Sequence, residues 1–208
     1  KQSKEQWLDK SPDFAKGVVN DYIYKGQADK GMLILATNRP FLWNEKETMA
    51  TRVLGDIIDI KLTETIREEM GGTYSPSFQL SYEKYPKPEV TMFAYYGCDP
   101  KTIDKITNAT WGVLDKIINE GPTDVDLAKV KEQLIRARET QYKERNSFWT
   151  SAIKGSRWYG FDLKTIEQYT SQVNSITKED VQAVAKKYVD HKDYVRVSLL
   201  PEAMKPAK

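Results

Sequence analysis

Residues 44–72 run NEKETMATRVLGDIIDIKLTETIREEMGG, and within them Met49, Val53, Leu54, Ile57, Ile58, Leu62, Ile66 and Met70 recur at steps of three and four. That period places all eight on one stripe of an α-helix facing a core. Asn44 with Glu47 three residues on makes a capping-box start, and Gly71 supplies a left-handed stop, so both ends are specified locally. Roughly 26 residues at 1.5 Å each predict a helix of about 39 Å.

The flanks of this helix have a different period. Upstream, Val18, Val19, Tyr22, Ile23 and Tyr24 precede Lys25 and Gly26, and Met32 to Leu35 precede Asn38 and Pro40. Two β-strands around a turn, an opening hairpin, are expected there. Downstream of Gly71 and Gly72, residues 74–82 and 90–98 read as a second hairpin, its connection kept out of any ladder by Pro86 and Pro88. Three or four helices follow, announced by caps at Asp99, at Thr123 with Asp126 and at Thr177 with Asp180, and a last strand spans Tyr194 to Leu200. The order predicts an α+β, two-layer sandwich: a mainly antiparallel sheet with its helices packed on one face. Residues 1–18, polar around Ser11 and Pro12, read as a linker, leaving 19–208 as one domain.

The composition narrows the chemistry. The 208 residues are 39% apolar and 30% charged, and 32 Lys plus Arg against 30 Asp plus Glu leave a formal charge of +2. So balanced a surface has no long-range field for a nucleic acid. No apolar run approaches the roughly 20 residues of a transmembrane helix. The start at Lys1, without a basic and apolar leader, is expected of a chain whose targeting segment has been removed or of a piece of a longer protein. One cysteine, Cys98, rules out an internal disulfide, and one histidine, His191, rules out the histidine-rich ligand sets of most zinc enzymes. No metal ligand set and no cofactor-binding motif is assigned to this chain.

The segment around Gly71 is where chemistry concentrates. Arg67 lies one turn before the helix stop and Tyr74 begins the next strand, so the chain reversal brings a guanidinium and a phenol together, a pair suited to a carbonyl oxygen or an oxyanion. A structural reading stands beside this one, since an arginine in a last helical turn is favoured by the helix dipole with no substrate at all. Glu68 and Glu69 point about 100° apart on a helix and are expected on a solvated face. His191 is expected in an exposed polar turn, and Cys98 is expected to behave as a small apolar residue. The aromatics Phe148, Trp149, Trp158, Tyr159 and Phe161 have the spacing of core residues, with the lining of a substrate chamber as the alternative. Lys129, Lys131, Arg136, Arg138, Lys143 and Arg145 alternate with Glu132, Glu139 and Glu144, the pattern of a wet helix face laced by i,i+4 pairs.

The run from Ile66 through Arg67 and Gly71 to Tyr74 and Ser75 resembles the Arg-to-Tyr motif, with the same spacing of seven, in the C-terminal, non-zinc domain of the pitrilysin and insulysin family of zinc metallopeptidases. Tyr24-Lys25-Gly26, Glu120-Gly121-Pro122-Thr123, Arg145-Asn146-Ser147-Phe148-Trp149 and Ile176-Thr177-Lys178-Glu179-Asp180 follow the family's order over nearly all of residues 19–200. The resemblance implies a proteolytic clamshell in which a related domain holds zinc through His-x-x-Glu-His, a motif this chain lacks. It further implies that Arg67 and Tyr74 bind the peptide substrate and complete the other domain's catalytic site. The expected partners are thus a zinc-bearing homologous domain, in the same or a separate polypeptide, and a peptide. The alternative is an inert scaffold or interaction domain of the same fold, like the core proteins of the mitochondrial respiratory complex. Large members of such families are often exported, which makes the bacterial envelope the expected compartment.

Overall fold

The computed structural model describes residues 8, 10, 12–69, 71, 76–144, 146–189 and 191–206, with the side chains at 68–69 and 141–144 excepted. Among them, five strands form one sheet: β1 (Val18–Tyr24), β2 (Gly31–Pro40), β3 (Ser77–Glu83), β4 (Glu89–Cys98) and β5 (Tyr194–Leu200). The helices are α1 (Glu45–Leu62), α2 (Ile103–Glu120), α3 (Asp124–Glu144), α4 (Asn146–Tyr159), α5 (Tyr169–Ser175) and α6 (Lys178–Tyr188). The architecture is the expected mainly antiparallel sheet with helices packed on one face.

The sheet order is β1-β5-β2-β4-β3, which corrects the expected opening hairpin. The β1 and β2 strands are consecutive in sequence, yet β5 lies between them, pairing parallel with β1 and antiparallel with β2. A run of apolar residues on either side of a turn carries no information about which neighbour a strand will choose. Here the C-terminal strand, returning from α6, takes the place beside β2. The second hairpin is present, β3 against β4, with Tyr82 opposite Val90 and Phe78 opposite Ala94. Five α-helices follow β4, where three or four were expected, because the long polar stretch after Thr123 divides into α3, α4 and a separate short α5.

Alternation along the central strands sets the layers. Leu33 and Leu35 of β2 and Val90, Met92, Ala94 and Tyr96 of β4 are buried beneath the helices. The opposite face, bearing Ile34, Tyr95 and Val197, is only half-buried. Against the covered face lies α1, whose Val53, Leu54, Ile57, Ile58 and Leu62 are sealed from solvent as the stripe predicts. Its approach is close: a Cβ on Gly55 would stand 3.2 Å from the Leu80 Cβ of β3.

The caps form where the sequence places them, but the expected box at Asn44 is one-sided, because the Glu47 carboxylate accepts from Lys187 and from the Tyr188 hydroxyl instead. The Asn44 side chain accepts from the Glu47 N–H at 2.9 Å. Thr177 and Asp180 form a reciprocal capping box at the start of α6. Truncating Ile58, which is fully buried at the centre of the α1 stripe, will remove both transfer energy and packing. Ile58→Ala is expected to lower stability by about 2–5 kcal/mol. Urea unfolding followed by circular dichroism checks it: the midpoint falls while the slope holds.

Candidate functional site

The end of α1 is not the simple continuation that the apolar period predicts. The helix runs to Leu62, and Thr63–Glu69 then winds as a π-helix. Its wider turn inserts slack into the ladder, a geometry that recurs at functional sites. Ile66 is fully buried, while Arg67 beside it is exposed. A sealed apolar anchor thus holds the turn from which the guanidinium projects. Gly71 follows with φ +58°, the left-handed stop read from the sequence.

An ion network locks this turn to the helix layer. Lys61 Nζ donates to Glu64 Oε2 at 2.9 Å and also lies 2.9 Å from Asp126 Oδ1 in the first turn of α3. Thr123 Oγ1 donates to Asp126 Oδ2 at 2.6 Å, and the Asp126 N–H donates back to Thr123 Oγ1 at 3.1 Å. Burial alone would raise the Asp126 pKa, but the Thr123 hydroxyl and the Lys61 ammonium outweigh it and hold the carboxyl below its ordinary value. Burial likewise opposes the charged form of Lys61, and Glu64 and Asp126 overcome it, so the lysine titrates above its ordinary range. A cavity of about 200 Å³ lies beside the network, bounded by Ile57, Thr65, Val113 and Ile117.

Of the two residues that sequence reasoning assigned to the site, Arg67 is exposed on the π turn, whereas Tyr74 lies outside the described residues. The side chains of Glu68 and Glu69 lie outside them as well. Cys98 packs partly buried against the core, and burial pushes its thiol pKa up, away from the reactive thiolate. His191 is exposed, as expected, but not idle: its Nε2 lies 2.7 Å from Asp115 Oδ1, and its ring sits over Trp111 with centroids 4.1 Å apart. Among the described residues no three His, Cys, Asp or Glu side chains are grouped as a metal site, and no helix is long and apolar enough to cross a membrane.

The aromatic cluster departs from the core reading. None of the α4 side chains is buried, and Trp149, Ile153 and Trp158 are 41%, 55% and 62% exposed. Amphipathic spacing shows that a helix has an apolar face but not that the same chain covers it. The basic aspect of α3 is also only partly a wet face. Arg136 pairs with Glu132 one turn earlier, but Lys131 reaches the Asn174 carbonyl, and the Arg138 guanidinium is stacked over Phe148 and Tyr169. The Lys61–Asp126 bridge joining distant segments had no local signature, since neither residue forms a motif with the other. The Thr123-x-x-Asp126 cap was the one part of it open to sequence reading.

A family model described as the peptidase M16 inactive domain matches residues 2–134. The curated relative "Probable zinc protease PqqL" of Haemophilus influenzae is 27% identical over 163 residues, which span 77% of this chain and 17% of that protein. Among solved structures, the periplasmic protease PqqL from Escherichia coli has a TM-score of 0.78 at 18% identity, over 90% of this chain and 21% of that one. A peptidase M16 inactive domain from Pseudomonas fluorescens has the same TM-score and identity, over 99% of this chain and 48% of that one. The chain therefore spans about a fifth of the length of the PqqL proteins it matches, and the structural likenesses establish its fold.

The ion network sets a test of the turn. Because the Asp126 pKa is lower folded than unfolded, the unfolded chain binds the extra proton near pH 4. The contribution is present above that pH and is lost as pH falls through the folded value. Asp126→Asn is expected to cost about 1–3 kcal/mol at pH 7. It should also flatten the fall in stability below about pH 4, as read by urea titrations at a series of pH values.

Proposed function

Because the chain belongs to the family of peptidase M16 inactive domains, we propose that it is the zinc-free, substrate-holding domain of a larger zinc peptidase, in which Arg67 and Tyr74 complete a site whose metal is held by another domain. The domain closes over a bound peptide, and the guanidinium of Arg67 donates hydrogen bonds to the oxygen of the scissile carbonyl. As that oxygen gains negative charge, a preorganised cation gains more interaction energy than it had with the neutral carbonyl, which lowers the barrier. The Tyr74 hydroxyl supplies a further donor to the same oxygen. The stretch ahead of β1, which the sequence reading ended at residue 18, connects this domain to another part of the protein, with Val18 itself already in the sheet.

One observation supports the reading above the rest: Arg67 is exposed on a turn whose neighbours are immobilised, Ile66 by burial and Lys61 by two carboxylates. Electrostatic catalysis needs a donor that does not reorganise during the reaction. An exposed arginine on a frayed helix end would not meet that requirement. The periplasmic location of the E. coli protease accords with an envelope location here.

In the intact peptidase, Arg67→Ala is expected to lower kcat/KM by about 100-fold or more, with zinc content by atomic absorption unchanged. Turnover equal to wild type would make this domain an inert scaffold of the same fold. The 208-residue chain alone is expected not to cleave peptides, and chelator-sensitive cleavage by it would contradict the division of labour between domains.

A further inference from the structure

Strand β1 forms one edge of the sheet, and β5 is its single neighbour there. Every residue from Val18 to Ile23 is exposed. Its apolar side chains are not shielded by either layer: Val18, Val19, Tyr22 and Ile23 are 47%, 39%, 46% and 44% exposed. The proposed catalytic role uses no part of this strand.

The ladder to β5 fixes which backbone groups are free. At one end the Tyr194 N–H donates to the Gly17 carbonyl at 3.2 Å, and at the other the Lys25 N–H donates to the Leu200 carbonyl at 2.9 Å. In a parallel pair, alternate residues of a strand turn both their N–H and C=O to the same neighbour. Val19, Asp21 and Ile23 therefore bond inward to β5, and Val18, Asn20 and Tyr22 present theirs outward. Among the described residues no strand pairs with this edge. Natural edges are blunted by proline, by lysine or by a bulge. β1 holds neither residue, and its register with β5 is unbroken over seven residues. A row of outward amides and carbonyls is matched by another extended backbone, which adds side-chain contacts on both faces of the sheet.

The one charge on the strand selects the partner. The register sets Val19, Asp21 and Ile23 beside Val195, Val197 and Leu199 on the open face. Asn20 and Tyr22 share the other face with Arg196, whose guanidinium carbon stands 5.9 Å from the Tyr22 ring centroid. Asp21 is thus an exposed carboxylate among apolar neighbours, and among the described residues it makes no ion pair. A second copy of β1 does not supply the missing cation. Antiparallel self-pairing over most of the strand sets Asp21 against itself, or against Val19 or Ile23. Like charges directly opposite are unfavourable, and an opposite pair is favourable.

We propose that β1 is a docking edge for an extended peptide from another chain, with a lysine or arginine opposite Asp21 and branched residues opposite Val19 and Ile23. The peptide joins the sheet as a further strand and is held independently of Arg67 and of any zinc.

Calorimetric titration of the full 208-residue chain at low ionic strength tests it. The probe is the acetylated, amidated peptide Thr-Val-Thr-Lys-Thr-Val-Thr, whose central lysine falls opposite Asp21 in either strand direction. It is expected to saturate with a Kd near or below about 1 mM, and its glutamate analogue to bind about fivefold more weakly. Asp21→Lys is expected to invert that preference. Asn20→Pro, which removes an outward N–H and leaves the ladder to β5 in place, is expected to abolish binding with the circular-dichroism melt retained. No saturation by the lysine peptide up to about 10 mM, an unchanged preference in Asp21→Lys, or wild-type affinity in Asn20→Pro would each overturn the proposal. So would a dimer of the chain, seen by sedimentation, that Asn20→Pro dissolves, since a second copy would then occupy the edge. Because none of these readouts is turnover, an inactive role for Arg67 would leave them unchanged.

Discussion

Helix α1 lies face down on the sheet, its stripe sealed from Val53 to Leu62 and continued by Ile66 in the π segment, and the rest of the molecule is arranged around that burial. It contacts β3 below and α2, α3, α5 and α6 around it. A helix so enclosed cannot rotate or slide without exposing one of its large apolar side chains, each worth about 1.5–3 kcal/mol of burial. The direction in which Arg67 leaves the surface follows from this restraint. Fixing Ile66 in the core leaves the next residue one outward course, and the widened turn makes up the phase.

Charge completes what burial begins. Lys61 sits where α1 changes to π geometry and bridges a carboxylate of the π segment to one of α3. A salt bridge on an open surface contributes little, but Asp126 is buried and holds the Thr123 hydroxyl as well. The pair therefore specifies how the π segment and the start of α3 sit together more than it adds raw stability. The same α3 places Arg138 against aromatic rings at its other end, so one helix carries two unlike environments.

Much of the architecture was legible in local pattern. The 3.6-residue period as far as Leu62 and the caps at Asn44, Asp99, Thr123 and Thr177 fall where the structure has helix and helix starts, and Gly71 has the left-handed backbone read for it. The β3–β4 hairpin was readable because its strands are joined by a short, proline-marked connection. The insertion of β5 between β1 and β2 was not, because strand order depends on pairings across more than 150 residues of sequence. The exposure of Trp149 and Trp158 was equally hidden: spacing reports an apolar face and is silent about what covers it.

The sequence by itself determined the class of the fold, the want of a histidine-based metal site, and the helix end on which Arg67 stands, since each depends on residue type and short-range spacing. Tertiary structure alone decided the strand order, the π winding that turns Arg67 outward, the Lys61–Asp126 bridge, and the stacking of Arg138 on Phe148 and Tyr169. These last features arise from contacts between segments far apart in the chain. Their energies depend on distance and desolvation, which no local pattern of side chains records.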